Sequence, residues 1–139
     1  MKTRLLWIAC GLLLTLALTG CAGADAIVLP DAAEVTAVRV TAGDAVTLRT
    51  DRAWIEGFLQ QAAEAVSTGG ESVQDAPDQP GAVRVELGTG EPPDWSVLYV
   101  YEADGACCLE QPYAGIYQGD EALWTFLASG AVPEGRDPR

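Results

Sequence analysis

The segment Trp95–Glu102 constrains this chain most, because both of its faces carry apolar or aromatic side chains. At the two-residue period of a strand, Trp95, Val97, Tyr99 and Tyr101 fall on one face and Leu98 and Val100 on the other. A strand of that composition belongs in the middle of a sheet with cover on both sides. Ala103-Asp104-Gly105-Ala106 follows it, and Asp-Gly adopts the positive φ angles of a tight hairpin turn. Cys107–Gln111 then pairs back, so the fold has to grow from an antiparallel hairpin.

The remaining elements are consistent with such a core. Val35–Thr41 alternates apolar and polar residues, Ala42-Gly43-Asp44 supplies a turn, and Ala45–Thr50 completes a second hairpin. Ala82–Leu87 reads as a further strand. Asp51 is a good N-cap for a helix from Arg52 to Ala65. Trp54, Ile55, Phe58, Leu59 and Ala62 form its apolar face, opposite Arg52, Glu56, Gln60 and Glu64. Gly57 inside it costs about 1 kcal/mol relative to Ala, which suits a close approach of the helix to a strand. Asp120 can cap a second helix carrying Leu123, Trp124, Phe126 and Leu127. These signals predict an α+β fold: an antiparallel sheet of about five strands in ββαβββα order, with the helices mainly on one face. Trp54, Phe58, Leu59, Leu123 and Trp124 are the expected core between helices and sheet. Residues 67–81, rich in Gly, Ser, Asp and Pro, are expected to form a long loop.

The start of the chain carries a different signal. Lys2 and Arg4 precede an apolar run from Leu5 to Leu18, shorter than the ~20 residues of a spanning helix. Leu18-Thr19-Gly20-Cys21 closes it in the pattern of a bacterial lipoprotein processing site. Small residues before the cysteine admit a peptidase, and the Cys21 thiol is the nucleophile that accepts a diacylglycerol. The expected layout is a signal peptide at 1–20, a tether at 21–30, a domain at 31–128 and a flexible tail at 129–139. The expected location is the extracytoplasmic face of the cell membrane, held by lipid on Cys21.

Charge narrows the partners. The chain has a net charge of −12, and cleavage before Cys21 would leave six arginines against twenty acidic residues. Such a surface repels phosphate backbones, which excludes nucleic acid. It also repels anionic headgroups, so attachment to the membrane has to come from the acyl chains. There is no histidine, and no phosphate-loop, dinucleotide-binding or Cys-x-x-Cys pattern. Glu102 and Glu110 could face each other across the Asp104-Gly105 hairpin as an acid–base pair. Glu71, Asp75 and Asp78 crowd one loop without the spacing of a calcium loop. No cofactor or metal is expected, and the chain is expected not to be an enzyme. Cys107 and Cys108 read as two small apolar strand residues, as a vicinal disulfide or as partners in intermolecular pairing.

Two segments remain as candidates for recognition, the 67–81 loop and the run Glu110-Gln111-Pro112-Tyr113-Ala114-Gly115-Ile116-Tyr117. Pro112 ends ladder pairing, Gly115 permits a bend, and each tyrosine has an apolar body with a polar tip. The run serves either as a structural corner or as a binding edge. The candidate binding residues are Glu71, Ser72, Asp75, Glu110, Gln111, Tyr113 and Tyr117.

The same run, with Asp51–Glu56, Thr68, Glu71–Pro77 and Leu98–Glu102, resembles an uncharacterised domain of small lipoproteins of Gram-positive bacteria. The resemblance spans about residues 29–128. That family usually carries two tyrosines where this chain has Cys107-Cys108. It implies a fold and a location and carries no established activity. The expectation is therefore a non-catalytic binding or sensing module at the cell envelope, with an envelope protein or peptide as partner. The alternatives are a carboxylate hydrolase acting on cell-wall glycans and a structural accessory subunit of a membrane complex.

Overall fold

Seven strands join into one antiparallel sheet in the order β2-β1-β4-β5-β6-β7-β3. In this computed structural model, residues 26–130 are described. The strands are β1 Val35–Ala42, β2 Ala45–Arg49, β3 Val66–Gly70, β4 Val83–Thr89, β5 Asp94–Ala103, β6 Ala106–Gln111 and β7 Gly115–Gly119. Helix α1, Arg52–Ala63, lies between β2 and β3, and α2, Glu121–Gly130, follows β7.

β5 sits at the centre of the sheet, paired with β4 on one side and β6 on the other. The β5–β6 turn has the conformation that its Asp-Gly dictates, with Asp104 at φ 52 and Gly105 at φ 76. The two faces of β5 divide as the alternation requires. Leu98 and Val100 join Val38, Val40, Val85, Leu87 and Leu109 in the buried core. Both helices cover this face. Asp51 accepts a hydrogen bond from the Trp54 amide at 2.9 Å, the N-cap of α1. Ile55, Phe58, Leu59 and Leu123 are buried, while Trp54 and Trp124 pack half-buried against them. The Trp54 ring stacks on Phe58 with centroids 5.6 Å apart. Gly57 faces Phe126 of α2, not a strand; an added Cβ would stand 3.4 Å from that ring.

Four expectations need correction. The sheet has seven strands, not about five, and the element order is ββαβββββα. The two additional strands, β3 and β7, overlap the expected 67–81 loop and the expected corner. They pair with each other, Val66 with Gln118 and Ser67 with Tyr117, across a register shift before Gly70. Their glycines hid them, because Gly weakens the strand signal. Helix α1 stops at Ala63, with Glu64 as its C-cap, so it does not reach Ala65. Ser129, expected in the flexible tail, belongs to α2. Finally, the end of the expected tether is part of the domain. Ala26 bridges Val66, Ile27 is buried in the core, and Val28 exchanges hydrogen bonds with the Gln111 side chain. The expectations for the signal peptide, Cys21 and residues 131–139 lie outside the described residues.

Candidate functional site

The helix-free face of the sheet carries the polar chemistry. Residues opposite each other in an antiparallel pair share a face, so Glu110, opposite Tyr99, lies on the side away from the helices. Glu110 is only 3% exposed. A buried carboxylate is costly unless hydrogen bonds replace its water. Here the Ser72 hydroxyl donates to Oε1 at 2.7 Å and the Tyr101 hydroxyl donates to Oε2 at 3.0 Å. Both are bonds to an ionisable acceptor, the stronger kind. Burial, and then the bond to Glu110, push the Tyr101 phenol well above its ordinary range.

Ser72 lies two residues beyond the end of β3, so this bond draws the segment after β3 onto the helix-free face. A second bond holds the same segment. The Tyr113 hydroxyl donates to Asp75 Oδ1 at 2.9 Å. Tyr113 has φ 60, in the left-handed region that a bulky residue seldom occupies. The residue is 67% exposed. The hydrogen bond to Asp75 raises the Tyr113 phenol pKa, with the carboxylate charge adding to the effect. A solvent-facing aromatic is thus fixed in an uncommon backbone conformation and tied to a loop that is itself pinned to the sheet.

The two tyrosines of the expected corner have opposite fates. Tyr117, opposite Leu109, turns to the helix side and is 5% exposed. Gly115 makes room for it, since a Cβ there would stand 3.2 Å from its hydroxyl. Tyr117 is a core residue whose edge reaches a surface groove of about 470 Å³ shared with Val28, Gly70 and Glu71. The half-buried Gln111 side chain donates from its amide to the Val28 carbonyl at 2.7 Å and holds the entering chain. Glu71 is exposed between this groove and a second one lined by Ser72, Val73 and Tyr113. The structure therefore brings Ser72 with Glu110 and Asp75 with Tyr113, and separates Tyr117 and Gln111 from them.

Glu102 and Glu110 do not form a pair. Glu102 lies opposite Cys107, on the helix side, whereas Glu110 lies opposite Tyr99 on the other. The acid–base arrangement expected across the hairpin is absent because the two strands place these carboxyls on opposite faces. Cys107 and Cys108 are free thiols, with Cys107 buried in the core. Burial, with Cys108 beside it, pushes the Cys107 thiol up to about 11. Among the described residues, no group of three or more Cys, Asp or Glu side chains is placed to hold a metal ion.

Sequence reasoning missed Tyr101 and a second polar cluster. Glu86, also buried, accepts from Arg39 at 3.3 Å and Arg84 at 3.2 Å, and the Arg39 guanidinium lies 4.3 Å from the Trp95 ring centroid. The signal for both lay in the alternation of β4 and β5, which puts Arg84, Glu86, Trp95 and Tyr101 on one face. Partner identity needed the register.

A family model named DUF5301 and described as a domain of unknown function (DUF5300) matches residues 23–118. The chain belongs to that family. The DUF5301 match takes in all seven strands except the last residue of β7, together with every polar contact of the helix-free face. Comparison with curated proteins gives no match. The DUF5301 fold is similar to an NMR structure of a protein from Ruminococcus gnavus, at 23% identity and a TM-score of 0.58. The likeness covers 67% of this chain and 90% of the other. At that identity it shows the fold alone.

Proposed function

We propose that this chain is a lipid-anchored, non-catalytic module that binds a component of the cell envelope. Leu18-Thr19-Gly20-Cys21 and the apolar run before it support the anchor. The observation that carries the binding role is Tyr113, held exposed at φ 60 by its bond to Asp75. Uncommon backbone conformations persist where the surroundings over-determine them, and they concentrate at ligand clamps. A rigid aromatic with few torsions loses little entropy on binding, which is why tyrosine is favoured at recognition surfaces. The recognition surface comprises Tyr113, Asp75, Glu71 and the exposed side of the segment pinned by Ser72. Glu110 is a positioning residue beneath it.

Separation of the two carboxyls, Glu102 and Glu110, favours binding over glycan hydrolysis, which needs a facing pair. A photo-crosslinking residue placed at Tyr113 in the full chain, expressed in its own cells, tests the reading. Adducts are expected from position 113 and not from Leu48 at the far sheet edge. Adducts from Leu48 alone would move the surface elsewhere.

A further inference from the structure

The exposed apolar side chains are distributed unevenly. Among the described residues, six large hydrophobics are exposed: Val28, Val46, Leu48, Val66, Val73 and Tyr113. Val46 and Leu48 belong to β2, one edge of the sheet. The other four gather at the opposite edge. Val66 begins β3 and bridges Ala26; Val28 is bonded to Gln111; Val73 and Tyr113 rim one groove that shares Glu71 and Ala114 with its neighbour. Val28 is 78% exposed and Val73 75%.

This edge is also where the chain enters the domain. Five residue steps separate Cys21 from Ala26, and a fully extended chain covers at most about 17 Å over that distance. The two sheet edges are six strand spacings apart, about 29 Å at about 4.8 Å each. An acyl group on Cys21 would therefore hold Ala26, bridged to β3, within about 17 Å of the bilayer surface, whereas β2 can stand a further sheet width away. Ala26 and Ile27 are fastened to the domain, so no slack is available beyond those five steps.

We infer that the sheet edge carrying Val28, Val66, Val73 and Tyr113 docks on the lipid–water interface of the membrane that holds the anchor. The inference rests on the proposed lipidation of Cys21 and names the envelope component that the Tyr113 surface meets. Tyrosine suits an interface, where its ring enters the headgroup layer and its hydroxyl stays hydrated. Three valines and one tyrosine would bind a bilayer weakly by themselves. The anchor removes that obstacle, because a second contact made by a tethered molecule is intramolecular and benefits from a high effective concentration. Glu71 and Asp75 lie beside the same grooves, so the face suits a zwitterionic surface better than an anionic one.

Hydrogen exchange on the mature acylated protein in protein-free phosphatidylcholine vesicles tests this docking, with the Cys21→Ala full chain in solution as reference. Slower exchange is expected at 26–29, 66–75 and 112–115, with no change in the β1–β2 turn. Adding phosphatidylglycerol should reduce the protection. Triple replacement of Val28, Val73 and Tyr113 by Ser should abolish it while the protein still sediments with the vesicles. Sedimentation without selective protection would overturn the docking and leave the anchor intact. Protection seen only in native membranes, and not in protein-free vesicles, would assign the face to a membrane protein and also overturn it. Failure to find acyl chains on Cys21 would overturn both readings.

Discussion

Ser72 Oγ stands 2.7 Å from Glu110 Oε1, joining residues 38 positions apart and fixing the segment after β3 to the sheet. With Tyr101 as the second donor, it is one of two hydrogen bonds that hold the buried Glu110 side chain. Ser72→Ala leaves Oε1 short of a donor in a buried place. The expected loss is about 1–3 kcal/mol by chemical denaturation. Ser72→Ala and Tyr101→Phe share one acceptor, so their double-mutant cycle should be non-additive.

Tyr101 gives the protein a definite alkaline response. Its folded pKa lies above the unfolded value, chiefly through burial and next through Glu110. The native state thus holds the phenolic proton more tightly than the unfolded chain does. Stability from this group is complete below about pH 10, the ordinary tyrosine range, and falls as pH rises above it. A denaturation series from pH 8 upward should show a decline that begins near pH 9 with the raised Cys107 thiol and steepens above about pH 10 with Tyr101. Tyr101→Phe should remove only the part above about pH 10, although the variant starts lower because Glu110 loses a donor.

Glycines of this domain divide by what a Cβ would meet. At Gly119 it would fall 2.7 Å from Leu109, and at Gly88 2.9 Å from the Trp95 ring, both inside contact distance. Gly119→Ala and Gly88→Ala should each cost about 1–3 kcal/mol through overpacking. At Gly57 the nearest atom is the Phe126 ring at 3.4 Å, an ordinary contact, and the position is helical. Gly57→Ala should stabilise by up to about 1 kcal/mol. Thermal unfolding of the three variants should show opposite shifts.

Phe58 is fully buried between α1 and the sheet and stacks on Trp54. Phe58→Ala should cost about 3–5 kcal/mol. A loss within about 0.5 kcal/mol, the range of an exposed substitution, would contradict its place in the core.

Local chemistry was enough to read the centre of this fold. Asp104-Gly105, the two-faced β5 and the Asp51 cap each act within a few residues, and all three are found where their sequence puts them. β3 and β7 escaped because Gly69, Gly70, Gly115 and Gly119 remove the side chains from which alternation is read. The strap at Ala26–Leu29 escaped for a related reason: its small residues read as tether until Val66 and Gln111 hold them. Of the expected binding residues, Asp75 and Tyr113 are exposed, whereas Ser72 and Glu110 are buried beneath them. The pairing of these four was not legible, since Ser72 meets Glu110 only through the register of β3, β7 and β6. Tyr117 and Gln111 share the same run but face inward and toward the entering chain, a distinction that no spacing rule supplies.

Everything proposed for the Tyr113 face depends on where the chain is held. Mass spectrometry of the N-terminal peptide, from full-length protein expressed in its own cells and recovered from the membrane fraction, tests this most directly. The account predicts a mature chain that begins at Cys21 and carries a thioether-linked diacylglyceryl group, lost from the membrane in Cys21→Ala. A chain that retains residues before Cys21, or begins there with a free thiol, would contradict it.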